Sequence, residues 1–298
     1  MPEEPIFDNL LDNALKRSNQ VKTRVVLKGQ YKEAFDLLRD AAASQLTPLL
    51  LGPPGTGKTL IARYFAQKEG KAFEWMTFDE STKPQHLLGS FDPAITFKEG
   101  FVRNAFLPGP LTKMMVKGGV FFANELNRAT EFTQNTLLEP MEERSVYLPR
   151  IGRIKADDDF FLISAANPAD LAGTHRLSEA LKDRIKLWIP LDYPPKSIEM
   201  EIVRANLPEI DLSDDILELI FRIIQATRQA REIEKPASVR AGIALAKLLW
   251  RRQSNGEIDM EQVADLAFNV LFGSVKFRAG IDDRKSLQAI IKRAITGT

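Results

Sequence analysis

Three glycines, a lysine and a threonine set the chemistry open to this chain. Gly52, Gly55 and Gly57, with Lys58 and Thr59 directly after, have the spacing G-x-x-x-x-G-K-T. The apolar run Leu49–Leu51 leads in, and Leu60, Ile61, Tyr64 and Phe65 follow with helical spacing. In such a strand–loop–helix context, successive backbone N–H groups turn inward around phosphate oxygens, and the helix offers them its positive N-terminal end. Lys58 is expected on the β- and γ-phosphates and the Thr59 hydroxyl on Mg²⁺. Gly52, Pro53, Pro54, Gly55, Thr56, Gly57 and Leu60 complete the expected phosphate-binding segment. These residues point to nucleotide binding.

A phosphate loop serves kinases, GTPases and ATPases alike, so its companions carry the distinction. Val120–Ala123 is an apolar run that ends in Asn124-Glu125. At such a strand end a nucleotide hydrolase places one acid for Mg²⁺ and a second to position or deprotonate the attacking water. Glu125 suits the second task. Asn124 stands where an aspartate is expected; its amide carbonyl can still accept from a Mg²⁺-bound water, but the missing charge should weaken metal affinity. Phe161–Ala166 is another apolar run, and Asn167 follows at the sheet edge where ligands of open α/β folds collect. Its amide suits the nucleophilic water or the γ-phosphate. Arg184, just before the last apolar run, and Arg240, at the start of a helical pattern, are candidates for stabilising charge on the γ-phosphate. No guanine-reading Asn-Lys-x-Asp segment occurs, which disfavours a GTPase.

These groups need a scaffold to meet. Five apolar runs, Thr47–Leu51, Ala72–Met76, Val120–Ala123, Phe160–Ala165 and Ile185–Ile189, alternate with helical stretches. Near-continuous apolarity, rather than alternation, argues a parallel sheet covered on both faces. Thr96–Val102, with Gly100, reads as a hairpin insert, and Val146–Ile154 as a second. Residues 1–46 read as two helical stretches, one around Phe7, Leu10, Leu11 and Leu15 and one around Phe35, Leu37, Leu38 and Ala41, joined by the extended piece Val25–Gln30. The basic stretch Lys16, Arg17, Lys22, Arg24, Lys28 and Lys32 reads as a solvated face. Tyr193-Pro194-Pro195 marks a boundary, beyond which the pattern is helical: around 198–206, from a Ser213 cap onward, and around 238–251, 260–272 and 283–295. The expected plan is a nucleotide-binding α/β domain over 1–192 and a small helical domain over 193–298.

Composition narrows the classes. The 298 residues hold 44% apolar and 27% charged side chains with a net charge of +1, an ordinary globular balance without a global pull towards nucleic acid or membrane. There is no cysteine, which excludes a disulfide framework, a thiolate metal site and a cysteine nucleophile, and His86 and His175 alone argue against a histidine-rich metal centre. The acidic start lacks an apolar signal region and no run is long enough to span a bilayer, so a cytoplasmic location is expected.

Taken together, these motifs resemble the AAA+ ATPases, and within them the MoxR family of the helix-2-insert group. Gly52–Thr59 resembles the Walker A motif, and Asn124-Glu125-Leu126-Asn127-Arg128-Ala129 the Walker B run, with Thr133–Glu139 similar to the helix after it. Leu87–Phe91 and Leu107–Leu111 flank a segment similar to the helix-2 insert. The resemblance makes 146–154 the pre-sensor-1 hairpin, Asn167 sensor 1, Arg184 an arginine finger acting on a neighbouring subunit's nucleotide, and Arg240 sensor 2. It implies an α/β core with a helical lid, ATP and Mg²⁺ as ligands, and a homo-oligomeric, usually hexameric, remodelling machine. It also implies a von Willebrand factor A-domain partner and a protein client.

Two residues depart from the family pattern. Asn124 replaces the Walker B aspartate, and Pro140 falls inside the helix after it, where a kink or helix end is expected. Beside the remodelling ATPase stand two alternatives: a nucleotide-gated scaffold with little hydrolysis, favoured by Asn124, and a nucleic-acid motor similar to MCM helicases. The near-zero net charge and the lack of an OB-fold or zinc module argue against the motor.

Overall fold

The computed structural model describes residues 24–168, 176–207, 212–253 and 259–297. The helical reading around Phe7–Leu15, the basic residues Lys16, Arg17 and Lys22, and His175 lie outside them. The described chain forms two compact units. The first holds Tyr31–Pro53 and Gly57–Leu191; the second holds 24–30, Pro54–Thr56 and the residues from Asp192 on.

In the first unit, α1 (Gln30–Ala43) buries Tyr31, Ala34, Phe35, Leu38 and Ala41, an i, i+3, i+4, i+7 stripe. Residues 24–28 before it have no regular structure. Then come β1 (Pro48–Leu51), α2 (Lys58–Lys68), β2 (Phe73–Thr77), α3 (Pro84–Leu88), β3 (Gly89–Phe91), α4 (Pro93–Glu99), β4 (Phe106–Pro108), α5 (Pro110–Lys117) and β5 (Val120–Asn124). After a 3₁₀ turn at Leu126–Arg128 follow α6 (Glu131–Gln134), a second 3₁₀ turn at Asn135–Leu137, and α7 (Leu138–Glu142). The unit closes with β6 (Ser145–Leu148), β7 (Gly152–Lys155), β8 (Phe161–Ala166), α8 (Glu179–Arg184) and β9 (Leu187–Pro190).

The five expected strands form one sheet in the order β2-β5-β8-β1-β9, and every pairing is parallel. All six residues of β8 and the first four of β5 are buried, as strands covered on both faces must be. The order places the end of β8 beside the loop that leaves β1, with the end of β5 one strand further on.

The hairpin expected at Thr96–Val102 is not there. Asp92 caps α4 by accepting from the N–H groups of Ala94 and Ile95, and Pro93 at the first helical position has its φ already set for a helix. This local start signal outweighs the β-propensity of Thr96, Phe97 and Val102. The hairpin is made instead by the flanking β3 and β4, paired from Gly89↔Pro108 to Phe91↔Phe106. The second expected hairpin is present as β6–β7, with Arg150 in its turn at φ 65°.

Pro140 acts one turn earlier than its own position. It has no N–H to give the carbonyl four residues back, at Thr136, and the chain tightens to 3₁₀ over Asn135–Leu137 before α7 resumes through Pro140 to Glu142.

The second unit is helical: α9 (Lys196–Ala205), α10 (Asp214–Gln229), then β10 (Ile233–Lys235), α11 (Val239–Gln253), α12 (Met260–Phe272), β11 (Lys276–Phe277) and α13 (Asp283–Thr296). Its core is one apolar cluster that includes Leu217, Ile223, Leu245, Ala267, Leu271, Leu287 and Ile291. The helical pattern gave no sign of the short β10–β11 ladder, which pairs Ile233 with Phe277. Ser213 precedes α10, but its hydroxyl makes no cap hydrogen bond; Asp214 and Asp215 in the first turn carry the favourable interaction with the helix dipole. Lys28 of the basic stretch pairs with Glu201 on the exposed surface.

Candidate functional site

The phosphate loop has the backbone its sequence demands. Gly55 and Gly57 take φ of 82° and 95°, a left-handed region that costs a side chain dearly and a glycine little. A Cβ on Gly55 would fall 2.3 Å from the Ser238 Cβ, a contact within the second unit. Gly57 stands where a helix cap would be and supplies no capping side chain to α2, so the first turn, with Thr59 and Leu60, keeps its N–H dipoles for an anion. Lys58 is buried, and its Nζ donates to the carbonyls of Gly52 (2.6 Å) and Pro53 (2.8 Å) at the neck of the loop. Thr56 is buried as well. Pro54 is propped by Tyr193, whose hydroxyl donates to its carbonyl at 3.3 Å. The Tyr193 ring lies under the Arg228 guanidinium at 4.1 Å, and Arg228 is locked to Glu199 by two hydrogen bonds of 2.7 and 2.8 Å. Burial pushes the Tyr193 phenol above its ordinary pKa, although the cation beside it pulls the other way.

The companion strands converge on this loop. The N–H of Gly52 donates to the carbonyl of Ala166, the last residue of β8, at 3.2 Å, so Asn167 begins next to the loop's first glycine. Asn167 is buried, and its N–H donates to Oδ1 of the fully buried Asn127 at 3.4 Å. Asn124 ends β5 opposite Thr77 of β2, and its Nδ2 donates to the Thr77 Oγ1 at 3.1 Å. Glu125 follows in a left-handed conformation, φ 55° and ψ 38°, unusual for a residue with a Cβ. Strain of this kind persists where surrounding structure imposes it, and functional sites are where it concentrates. The Glu125 carboxylate pairs with Arg128 at 3.0 Å.

The two candidate arginines are placed differently. Arg184 ends α8 and is held by Glu142, with Nε at 2.8 Å and Nη2 at 2.7 Å from one carboxylate oxygen, while Nη1 donates to the Ala180 carbonyl at 3.1 Å. It is not among the residues gathered at the loop of its own chain. Arg240 lies in the second unit, exposed in the first turn of α11, two residues after the Ser238 that abuts Gly55.

The donor set fits a nucleotide with its metal. Two left-handed glycines, an uncapped helix start and a buried lysine suit phosphate oxygens. Among the described residues there is no cluster of three or more His, Cys, Asp or Glu able to hold an ion by itself. Thr59 and Asn124 offer neutral hard oxygens, a set suited to Mg²⁺ that already rides on phosphates. Reading the sequence alone missed Thr77 and Glu142, which have no motif of their own, and gave Arg128 and Tyr193 no part in holding the site although both lie in segments it singled out.

Fold and site together define a P-loop nucleotide-binding protein. The chain matches the family described as AAA domain (dynein-related subfamily) over residues 48–185. It is 27% identical over 260 residues to the gas vesicle ATPase GvpN of Haloferax mediterranei, covering 82% of this chain and 73% of that protein. An uncharacterized protein of Staphylococcus epidermidis is 30% identical over 204 residues, covering 67% and 76%. Among solved structures, the RuvB Holliday junction branch migration motor of Thermotoga maritima shares the fold at a TM-score of 0.53 and 19% identity, over 89% of this chain and 74% of that one. NtrX of Brucella abortus, in complex with ADP, shares it at 0.57 and 16%, over 100% and 71%.

Proposed function

We propose that this protein binds ATP with Mg²⁺, hydrolyses it, and uses the cycle to remodel a protein client as a MoxR-type AAA+ chaperone. The observation that carries the reading is the convergence of three elements on one sheet edge. The loop after β1, Glu125 after β5 and Asn167 after β8 meet there, with Gly52 bonded to Ala166. In this reading Lys58 and the first-turn N–H groups hold the β- and γ-phosphates, and Thr59 with the Asn124 carbonyl holds Mg²⁺ through oxygen. Glu125 activates the water, Asn167 orients it, and Arg240 contacts the γ-phosphate. Arg184 serves the nucleotide of the next subunit, which requires a homo-oligomer; a hexameric ring is the form proposed.

A von Willebrand factor A-domain protein is the proposed partner, on the strength of the MoxR-like motif runs. A nucleic-acid substrate is disfavoured by the net charge of +1. No helix of the described residues is long and apolar enough to cross a membrane, and a cytoplasmic location belongs to the same proposal. Asn124 sustains a second reading, a nucleotide-gated scaffold that binds ATP and scarcely turns it over.

Steady-state ATP hydrolysis with Mg²⁺, compared for the native protein, Asn124→Asp and Glu125→Gln, separates the two. Native turnover that disappears in Glu125→Gln supports the remodeller. Turnover that arises only in Asn124→Asp supports the scaffold.

A further inference from the structure

Gln134 is 1% exposed and directs its whole amide at three backbone groups. Its Nε2 donates to the carbonyls of Ala129 and Arg176, both at 2.9 Å, and its Oε1 accepts the N–H of Ser178 at 2.8 Å. Ala129 closes the 3₁₀ turn that follows Glu125. Ser178 is the cap of α8, with its hydroxyl accepting from the Leu181 N–H at 3.3 Å, and α8 ends at Arg184. The far end of α8 is tied as well, because Arg184 pairs with Glu142 of α7. Both ends of the arginine-bearing helix are therefore fastened to one stretch, Glu131–Glu142, and Gln134 joins that stretch to the turn after Glu125.

A helix of six residues does not hold itself. Its placement depends on the buried Leu181 and on these ties. No other side-chain type of this size does what Gln134 does. Methionine would fill the space but leave two carbonyls and an N–H without this partner. Glutamate would keep the acceptor for Ser178 and set a carboxylate against two carbonyl oxygens. Loosening the start of α8 moves Arg184 at its end, and a misplacement of about 1 Å in a group that stabilises transferring charge costs on the order of 10²-fold in rate.

We infer that Gln134 is a positioning residue: it anchors the start of α8 to the Ala129 carbonyl and so sets where the subunit presents Arg184 to its neighbour. The inference rests on the reading of Arg184 given under the proposed function.

Mixed assemblies test it. Arg184→Ala subunits keep an intact site and lack the arginine; Glu125→Gln subunits lack the base and keep the arginine. Mixing the two restores ATP turnover that neither shows alone. Gln134→Met is then added to one subunit type at a time. On the Glu125→Gln subunit it is expected to cut the restored turnover at least about tenfold. On the Arg184→Ala subunit it is expected to leave turnover within about twofold. Equal loss in both placements means a general structural role and overturns the inference. If Gln134→Met subunits do not co-assemble, Gln134→Glu is judged by the same asymmetry. Failure of the parent mixture to regain turnover overturns the trans role of Arg184, and the inference falls with it; that result is distinct from symmetric loss in a working mixture.

Discussion

The amide of Asn124 and the hydroxyl of Thr77 are joined across neighbouring strands, Nδ2 to Oγ1, at 3.1 Å. With its nitrogen engaged, Asn124 has its carbonyl oxygen left for any further partner. A neutral residue thus retains one acceptor of the aspartate it stands in for, at the strand end, without the charge. Thr77→Val removes the bond and frees the amide to turn. A neutral hydrogen bond is worth about 1 kcal/mol, so turnover should fall about fivefold with ATP affinity unchanged. Asn124→Asp should act in the opposite sense, lowering the Mg²⁺ concentration needed for half-maximal turnover. Mg²⁺ titrations of steady-state hydrolysis read both.

Glu125→Gln preserves the shape of the side chain and removes both the proposed base and the negative partner of Arg128. Turnover should fall by about 10²–10⁴-fold. Nucleotide binding, followed by fluorescence of a labelled ATP analogue, should remain.

Arg184→Ala should abolish turnover and leave ATP binding intact, since a guanidinium on the transferring phosphoryl group is worth about 10³–10⁵ in rate in related chemistry. Equal loss of binding would count against the assignment. Glu142→Gln removes the carboxylate that holds Arg184 within its own chain. The pair is partly exposed and worth at most about 1 kcal/mol, so turnover should fall by no more than about fivefold as this tie on α8 is lost. Under the proposed trans role of Arg184, the fall should appear only at protein concentrations that support assembly.

Gly55→Ala introduces a side chain at φ 82°, where its Cβ meets Ser238 at 2.3 Å. The left-handed backbone alone costs about 1–2 kcal/mol. The unfolding midpoint should drop, and nucleotide affinity should drop further as the loop rearranges. Isothermal titration with ATP and a denaturant titration measure the two effects separately.

Tyr193 gives a pH signature. Burial raises its pKa, so the folded protein prefers the neutral phenol that donates to Pro54. The stability it contributes is fully present below its unfolded pKa of about 10 and is lost as pH rises through the higher folded value. The difference in Tm between the native protein and Tyr193→Phe should therefore shrink above about pH 10.

The sequence by itself determined the loop, the strands and the edge at which they meet. Gly55, Gly57 and Lys58 have backbone and charge requirements that are local, and apolar runs such as Val120–Ala123 must be buried whatever surrounds them. The β6–β7 hairpin was legible for the same reason. The helix over Pro93–Glu99 was legible in principle from Asp92-Pro93, but strand-like residues further along obscured it. What only the tertiary structure decided is which groups hold the site residues in place. Thr77 lies 47 positions from Asn124, Glu142 lies 42 from Arg184, and Gln134 lies 44 from Ser178. Such pairings arise from sheet order and from the path of short connections between strands. A hydrogen bond between distant residues leaves no period or spacing in the chain, so it exists only once the fold has brought its two ends together.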